Sequence, residues 1–140
     1  MLTFTDSADA SNHRVFIFSD PDGEGGNAPV TFDNIDLTAN STWYVNINLV
    51  NESNPSDIED ITAEIVEEDD EHLFCFNDSG VNIAIERTDS DGTYEVGLES
   101  TWRVGAAGSG TVTVVLKHQP DVKDGTCAPG DTDIEIQFPT

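Results

Sequence analysis

Basic residues are scarce in this sequence. Its 140 residues include 5 Lys and Arg against 28 Asp and Glu, a formal net charge of −23 at pH 7. Such a surface repels phosphate backbones and anionic lipid headgroups, which argues against nucleic-acid and membrane-surface binding. It attracts cations, above all Ca²⁺, and it suits a well-solvated or salt-adapted protein. The densest acidic run, Glu67 to Glu71, is expected to lie on a solvated edge and to discourage edge-to-edge strand pairing.

Long hydrophobic runs are also missing. No apolar run is long enough to span a bilayer, so we expect a protein that is not embedded in a membrane. No signal peptide is visible, and we expect any export signal to have been removed. Val, Ile, Leu and Phe are frequent while Met occurs once, and Gly and Pro interrupt short runs. This composition is typical of an all-β protein, and we predict a single domain over residues 1–140.

Familiar catalytic motifs are absent. The sequence has no Gly-x-Ser-x-Gly elbow, no phosphate loop and no His-Glu-x-x-His. Carboxylates are so abundant that choosing two as a glycosidase pair would be arbitrary. Trp43, Tyr44, Tyr94 and Trp102 could form a platform for stacking on sugars, but the two tryptophans fit a core equally well. We therefore predict that the protein is not an enzyme.

Short alternating segments dominate what remains. Apolar and polar residues alternate at 43–49, 112–116 and 134–138, as in half-buried strands. Ile58 to Glu68 is different, because Ile58, Ile61 and Ile65 fit one helical face, and we expect a short helical connection there. The fold-class prediction is therefore all-β: an antiparallel, immunoglobulin-like β-sandwich of eight or nine strands with one short helical connection.

The two cysteines are Cys75, in a predicted strand, and Cys127, in the loop before the last strand. In a β-rich chain they predict a disulfide and an oxidising compartment. The bridge would close a loop of about fifty residues, contribute roughly 4 kcal/mol in the chain-entropy model, and tie the two sheets together. The alternative is a zinc site that adds His72 and His118, since His-x-x-Cys is a plausible ligand spacing. On a strand, however, positions three apart face opposite sides, so His72 and Cys75 would diverge.

A second metal hypothesis uses the histidines without the cysteines. By parity, His72 and His118 lie at the rims of apolar faces near strand ends. If their strands are neighbours, the two imidazoles and Glu71 could bind Zn²⁺ or Cu²⁺. The alternative is a pair of rim histidines that are hydrogen-bonded to backbone or carboxylate groups.

Two acidic turns are candidate calcium sites. The loop from Asp20 to Asn27 presents Asp20, Asp22, Glu24 and Asn27, hard oxygen ligands among glycines, although it lacks the spacing of an EF-hand. A weaker candidate is the turn that contains Asp89 and Asp91. Asp-Gly is also common turn chemistry, so both segments can be read as turns without a metal.

Several segments together carry a family resemblance. They are DPDGEGGNAPVTF, LTANSTWYVNINLVNES, ITAEIVEEDDEHLFCF, VGLESTWRVGAAGSGTVTVVLKHQP and TDIEIQF. In this order they resemble a group of small secreted lipoproteins of Bacteroidetes-type bacteria, often labelled as a type 1 periplasmic-binding fold. The resemblance implies an exported, lipid-tethered envelope protein. Cys75 and Cys127 depart from that group's pattern.

These observations favour a non-catalytic, extracytoplasmic module located in the periplasm, at the cell surface or outside the cell. We expect it to act by binding or assembly, with one disulfide and Ca²⁺ as a possible stabilising ion. The expected partner is a protein or glycan at the cell surface, or further copies of the chain in a filament formed by edge-strand pairing. The alternative function is a periplasmic Zn/Cu-binding protein that uses His72, His118 and Glu71.

Overall fold

The computed structural model describes residues 1–21 and 28–140. Within them the chain forms ten β-strands and one short helix. They are β1 (Leu2–Asp6), β2 (His13–Phe16), β3 (Phe18–Ser19), β4 (Thr31–Phe32), β5 (Thr42–Ile47), α1 (Ile61–Glu67), β6 (His72–Ser79), β7 (Ile83–Arg87), β8 (Glu99–Val104), β9 (Thr111–His118) and β10 (Asp131–Pro139). The all-β prediction is confirmed, and the short helix lies inside the segment that was expected to be helical.

The strands form two main sheets in which all pairs are antiparallel. One sheet has the order β2-β1-β5-β8-β7 and the other the order β10-β9-β6, while β3 and β4 form a small ladder of their own. Without β2, the two orders are β1-β5-β8-β7 and β10-β9-β6. These follow the ABED and GFC orders of constant-type immunoglobulin sandwiches. In that scheme β6 corresponds to strand C, and the β9–β10 connection corresponds to the F–G loop.

The core is built by alternation along the strands of both sheets. In β5 the side chains of Trp43, Val45 and Ile47 are buried, while Tyr44 and Asn46 are exposed. Because successive side chains point to opposite faces, one face of each strand packs inward. The central buried side chains from the two sheets and the helix are Leu2, Phe4, Trp43, Val45, Ile65, Phe74, Trp102, Val112, Val114, Leu116 and Phe138.

A repeated Ser-Thr-Trp triplet lies at the centre of this core. Trp43 and Trp102 are opposite each other in the β5–β8 register, and both are fully buried. Each indole N–H donates to the serine two residues before it, Ser41 at 2.6 Å and Ser100 at 3.0 Å. Both tryptophans are therefore core residues, and a sugar-stacking platform that includes them is ruled out.

Helix α1 brings the acidic run to one end of the three-stranded sheet. Asp60 caps its N-terminus by accepting a hydrogen bond from the Ala63 amide at 3.2 Å, and Ile65 packs into the core. The run from Glu67 to Glu71 occupies the end of α1 and the turn before β6, not a strand edge as predicted. None of the helices in the part of the chain that the structure describes has the length and apolar character needed to cross a membrane.

Candidate functional site

The predicted disulfide between Cys75 and Cys127 is present, with the Cα atoms 6.1 Å apart. Its position differs from the expected one. Phe74 faces the main core, so its neighbour Cys75 projects from the outer face of the three-stranded sheet. The disulfide joins β6 to the loop of residues 119–130, here named the cap loop, and it does not tie the two sheets together. The expectation failed because Cys75 has the opposite parity to the core-facing residues of its strand.

The cap loop is attached over a second, smaller apolar cluster. Leu73, Cys75 and Val115 are 0%, 3% and 9% exposed, although they lie on the outward face of the sheet. In a half-buried sheet this face is normally solvated. Part of the outer face of the three-stranded sheet is therefore shielded from solvent. The cap loop supplies Cys127, the disulfide partner of Cys75.

A buried ion pair holds the cap loop independently of the disulfide. Lys123 Nζ lies 2.7 Å from Asp91 Oδ2, and the two side chains are 3% and 4% exposed. Lys123 also donates to the Asp69 carbonyl at 2.6 Å. This one ammonium group therefore connects three segments: the cap loop, the turn after β7 and the turn after α1. A buried pair of this kind depends on both partners, since removal of one leaves an uncompensated charge.

The environment of Asp91 favours its charged form. Burial on its own would raise the pKa of Asp91, because it disfavours the carboxylate. The hydrogen bond from Lys123, the bonds from the Tyr94 and Thr93 amides and the positive charge of Lys123 outweigh this effect, so the pKa is lowered from its ordinary value. Asp91 is therefore a fixed anion at neutral pH.

The carboxylates of the second calcium candidate are occupied by protein donors. Asp89 accepts hydrogen bonds from the Gly97 amide at 2.7 Å and the Leu98 amide at 2.9 Å. Asp91 accepts from Thr93 and Tyr94 as well as from Lys123. These contacts shape the segment between β7 and β8, and they give calcium binding at Asp89 and Asp91 no support.

Arg87 connects β7, β6 and the cap loop. Its Nε donates to the Phe74 carbonyl at 2.6 Å, and its Nη1 pairs with Glu95 at 2.7 Å. Its Nη2 lies 3.6 Å from Cys127 Sγ. The disulfide therefore has a cation beside its outer sulfur, a contact that the sequence analysis did not anticipate.

Gln119 organises the interior of the cap loop. It is fully buried, and its Nε2 donates to the carbonyls of Thr126 and Pro129, both at 2.9 Å. Its backbone amide donates to the Glu71 carbonyl at 2.6 Å. Asp124 accepts from the amide and hydroxyl of Thr126, and these bonds lower the pKa of the Asp124 carboxyl. The loop thus has internal structure of its own beside the disulfide.

The five basic residues of the chain all make internal contacts. Three of them hold or border the cap loop: Arg87, Lys117, which donates to the Gly130 carbonyl at 3.0 Å, and Lys123. Arg14 lies over the Trp43 ring at 5.2 Å, and Arg103 pairs with Glu86 at 2.8 Å. The signal in the sequence was the scarcity of basic residues, because each of the five cations has an excess of carboxylates with which to pair.

The histidines at the start of β6 and the end of β9 are indeed neighbours. His72 and His118 are register partners, and their rings stack with centroids 4.9 Å apart and planes 9° from parallel. His72 Nδ1 lies 2.9 Å from the Glu68 carbonyl, and His118 Nε2 lies 3.4 Å from Glu71 Oε2. Imidazole lone pairs lie in the ring plane, so face-to-face rings do not direct both nitrogens at one ion.

The structure therefore gives little support to the metal-binding hypotheses. No group of three or more His, Cys, Asp or Glu side chains within residues 1–21 and 28–140 is arranged to hold a metal ion. Zn²⁺ or Cu²⁺ binding by His72, His118 and Glu71 stays a prediction. In the first calcium candidate, Asp20 is described but Asp22, Glu24 and Asn27 lie outside the described residues, so that site also stays a prediction.

The chain also has a small cleft at the other end of the sandwich, beyond the end of β6. It has a volume of about 100 Å³ and is lined mainly by apolar residues from the 35–39, 81–83 and 104–108 segments. Asp36 is the one ionisable residue in its lining. This cleft presents no combination of groups typical of catalysis.

Comparisons with protein-family models, curated proteins and solved structures give no significant match to this chain. The resemblance to secreted lipoproteins therefore stays a prediction. The outer face of the three-stranded sheet, with Leu73, Cys75, Val115 and the cap loop held by Lys123, is here named the capped face.

Proposed function

We propose that the protein is a non-catalytic binding or assembly module of an extracytoplasmic compartment. The observation that carries this proposal is the disulfide between Cys75 and Cys127, which fixes an exposed loop on a sheet face. Disulfides persist in secreted, periplasmic and cell-surface proteins and are rare in reducing compartments. The buried position of Cys75 among Leu73 and Val115 favours a structural bond over a catalytic one.

The cap loop is the surface on which we place recognition. The disulfide and Lys123 hold it from two directions, and a loop that is already ordered loses less conformational entropy when it binds. Val122 of the cap loop is 51% exposed. Tyr94, which lies beside Gly125 of the cap loop, is 38% exposed. Asp121 and Asp124, on either side of Val122 in the cap loop, are also exposed and add negative charge. This combination suits a protein partner with a basic surface, because complementary charge speeds encounter and fixes orientation.

Charge also bears on the choice between a monomeric module and an assembly. A net charge of −23 makes copies of the chain repel one another at low ionic strength, and salt screens this repulsion. We therefore favour a monomer that binds another molecule, and we expect any filament to form only in high salt or with divalent cations. Sedimentation velocity and electron microscopy at low salt, at high salt and with added Ca²⁺ test this. Filaments at low salt would overturn the preference.

The compartment is tested on protein isolated from its natural source. Thiol titration under denaturing conditions should find no free sulfhydryl if the chain resides in an oxidising space. Two free thiols in native material would remove the main support for an extracytoplasmic location.

Calcium is tested by thermal unfolding with Ca²⁺ and with a chelator. A site at Asp20, Asp22, Glu24 and Asn27 would raise the melting temperature with Ca²⁺ in a saturable way, since an ion that binds only the folded state stabilises it. The matched control is Mg²⁺, which screens charge equally but prefers a smaller, octahedral site. Equal melting temperatures in Ca²⁺ and chelator would discard this site.

A further inference from the structure

The two sulfurs of the disulfide lie in very different surroundings. Cys75 is 3% exposed and packs with Leu73 and Val115 on the sheet. Cys127 lies in the cap loop and is exposed. Thiol–disulfide exchange depends on which sulfur an incoming thiolate can reach. Cys75 is therefore shielded by the sheet, while Cys127 is the cysteine that an incoming thiolate can reach more readily.

The charge beside the disulfide is also unequally placed. Arg87 Nη2 lies 3.6 Å from Cys127 Sγ, whereas Cys75 has apolar neighbours. The guanidinium is oriented by its bonds to the Phe74 carbonyl and to Glu95, and Glu95 partly neutralises its charge. A nearby cation favours the thiolate form of a cysteine, and apolar burial disfavours it. Once the bond is open, the two cysteines should therefore differ in reactivity.

From the difference in exposure we propose that Cys127 is a thiol-exchange site, the sulfur at which low-molecular-weight thiols attach, while Cys75 stays shielded. In the exchange step a thiolate attacks Cys127 Sγ and forms a mixed disulfide there. The Cys75–Cys127 bond breaks, its electron pair leaves on Cys75 Sγ, and that sulfur takes a proton from water. The step consumes one thiol and needs no other oxidant or reductant. It is independent of the proposed binding function.

The exchange should leave the fold in place. Lys123 holds the cap loop through Asp91 and the Asp69 carbonyl, and Gln119 holds its interior, and neither contact passes through the disulfide. We therefore expect modification at Cys127 without general exposure of Leu73 and Val115. The leaving group at Cys75 is a buried thiolate, which makes the forward step slow.

The test is to incubate the native protein with reduced glutathione, quench with acid, block free thiols with N-ethylmaleimide and map both cysteines by mass spectrometry. The expected product carries glutathione on Cys127 and a free thiol on Cys75. In protein reduced under native conditions, iodoacetamide should label Cys127 at least roughly ten times faster than Cys75. Glutathione on Cys75, or equal labelling of the two cysteines while circular dichroism reports a folded protein, would overturn the proposal.

Two variants with opposite expected effects test the contribution of Arg87. At pH 7, Arg87→Gln should slow iodoacetamide labelling of reduced Cys127 roughly threefold or more, because the thiolate loses its cation. Glu95→Gln leaves the guanidinium without its anion and should speed labelling, by about twofold since Glu95 is half exposed. Glu95→Gln also keeps the Arg87 bond to Phe74, so it remains informative if Arg87→Gln folds poorly. Unchanged rates in folded Glu95→Gln and Arg87→Gln would refute the role of Arg87.

Discussion

The outer faces of the two sheets arise from the same alternating pattern, but they differ in how much of the face is exposed to solvent. On the three-stranded sheet, Leu73 and Val115 point outward and are still buried, in a face that carries a disulfide and the Lys123–Asp91 pair. On the five-stranded sheet, Tyr44 is 53% exposed and the Arg103–Glu86 pair is more than half exposed. Alternation explains the open face. The capped face needs contacts between residues far apart in the chain. Removing those contacts should lower the free energy of unfolding more than removing contacts on the open face.

The largest effect is expected from the covalent contact. Replacing both cysteines, Cys75→Ala with Cys127→Ala, should lower the free energy of unfolding by about 4 kcal/mol, because the bond closes a long loop in the unfolded chain. Urea unfolding of wild type and double variant at one ionic strength measures the difference. A loss below about 1 kcal/mol would mean that the noncovalent contacts are sufficient to hold the cap loop. The difference in stability between the two faces would then depend on Lys123.

The buried ion pair should come next. Lys123→Met should cost about 3 kcal/mol, at the low end for breaking a buried pair, because water can reach Asp91 once the loop relaxes. Arg103→Met is the matched control on the open face, where an exposed pair contributes about 0–1 kcal/mol. Urea unfolding of both variants gives the comparison. Equal losses would show that the two faces do not differ electrostatically.

A double variant separates the net contribution of the Lys123–Asp91 pair to stability from the penalty for leaving one buried charge without its partner. Lys123→Met with Asp91→Leu should recover much of the loss seen in Lys123→Met, since apolar groups of similar size often replace a buried pair without penalty. Asp91 also accepts two backbone amides, so we expect recovery to be incomplete. A double variant less stable than Lys123→Met would assign the main role to the Asp91 turn.

Acid should weaken the capped face through Asp91. The pKa of Asp91 is lowered in the folded protein, so its charge contributes stability above its unfolded pKa, near pH 4. That contribution is lost as the pH falls from about 4 through the folded pKa. The stability difference between wild type and Asp91→Asn should therefore be largest near neutral pH and shrink below pH 4. A constant difference from pH 7 to pH 3 would contradict the ionic role of Asp91.

The sequence predicted the parts of the molecule that depend on local pattern. The alternation at Trp43, Val45 and Ile47 gave the clearest strand, and the spacing of Ile61 and Ile65 gave the helix. Both signals are periodic and need no knowledge of distant residues. Parity also gave a correct negative result, that His72 and Cys75 face opposite sides.

The capped face could not be predicted in the same way. Lys123 meets Asp91 and Asp69, and Arg87 meets Cys127, only after the strands are paired and the cap loop is placed. No spacing rule relates such positions. The disulfide itself was predicted from composition, and the parity of Cys75 relative to Phe74 could have placed it outside the core. The two Ser-Thr-Trp triplets are visible in the sequence, but only the β5–β8 register shows that their tryptophans are neighbours.

The smallest effect is expected at the rim of the capped face. The stacked rings of His72 and His118 do not direct two lone pairs at one ion, so isothermal titration with Zn²⁺ or Cu²⁺ should show no submicromolar site. His72→Ala is the control, because weak binding to the many surface carboxylates would persist in it while a true site would be lost. A submicromolar affinity that disappears in His72→Ala would mean that the rings unstack to bind metal. The capped face would then hold an ion as well as a disulfide, and the Zn/Cu alternative would become the preferred function.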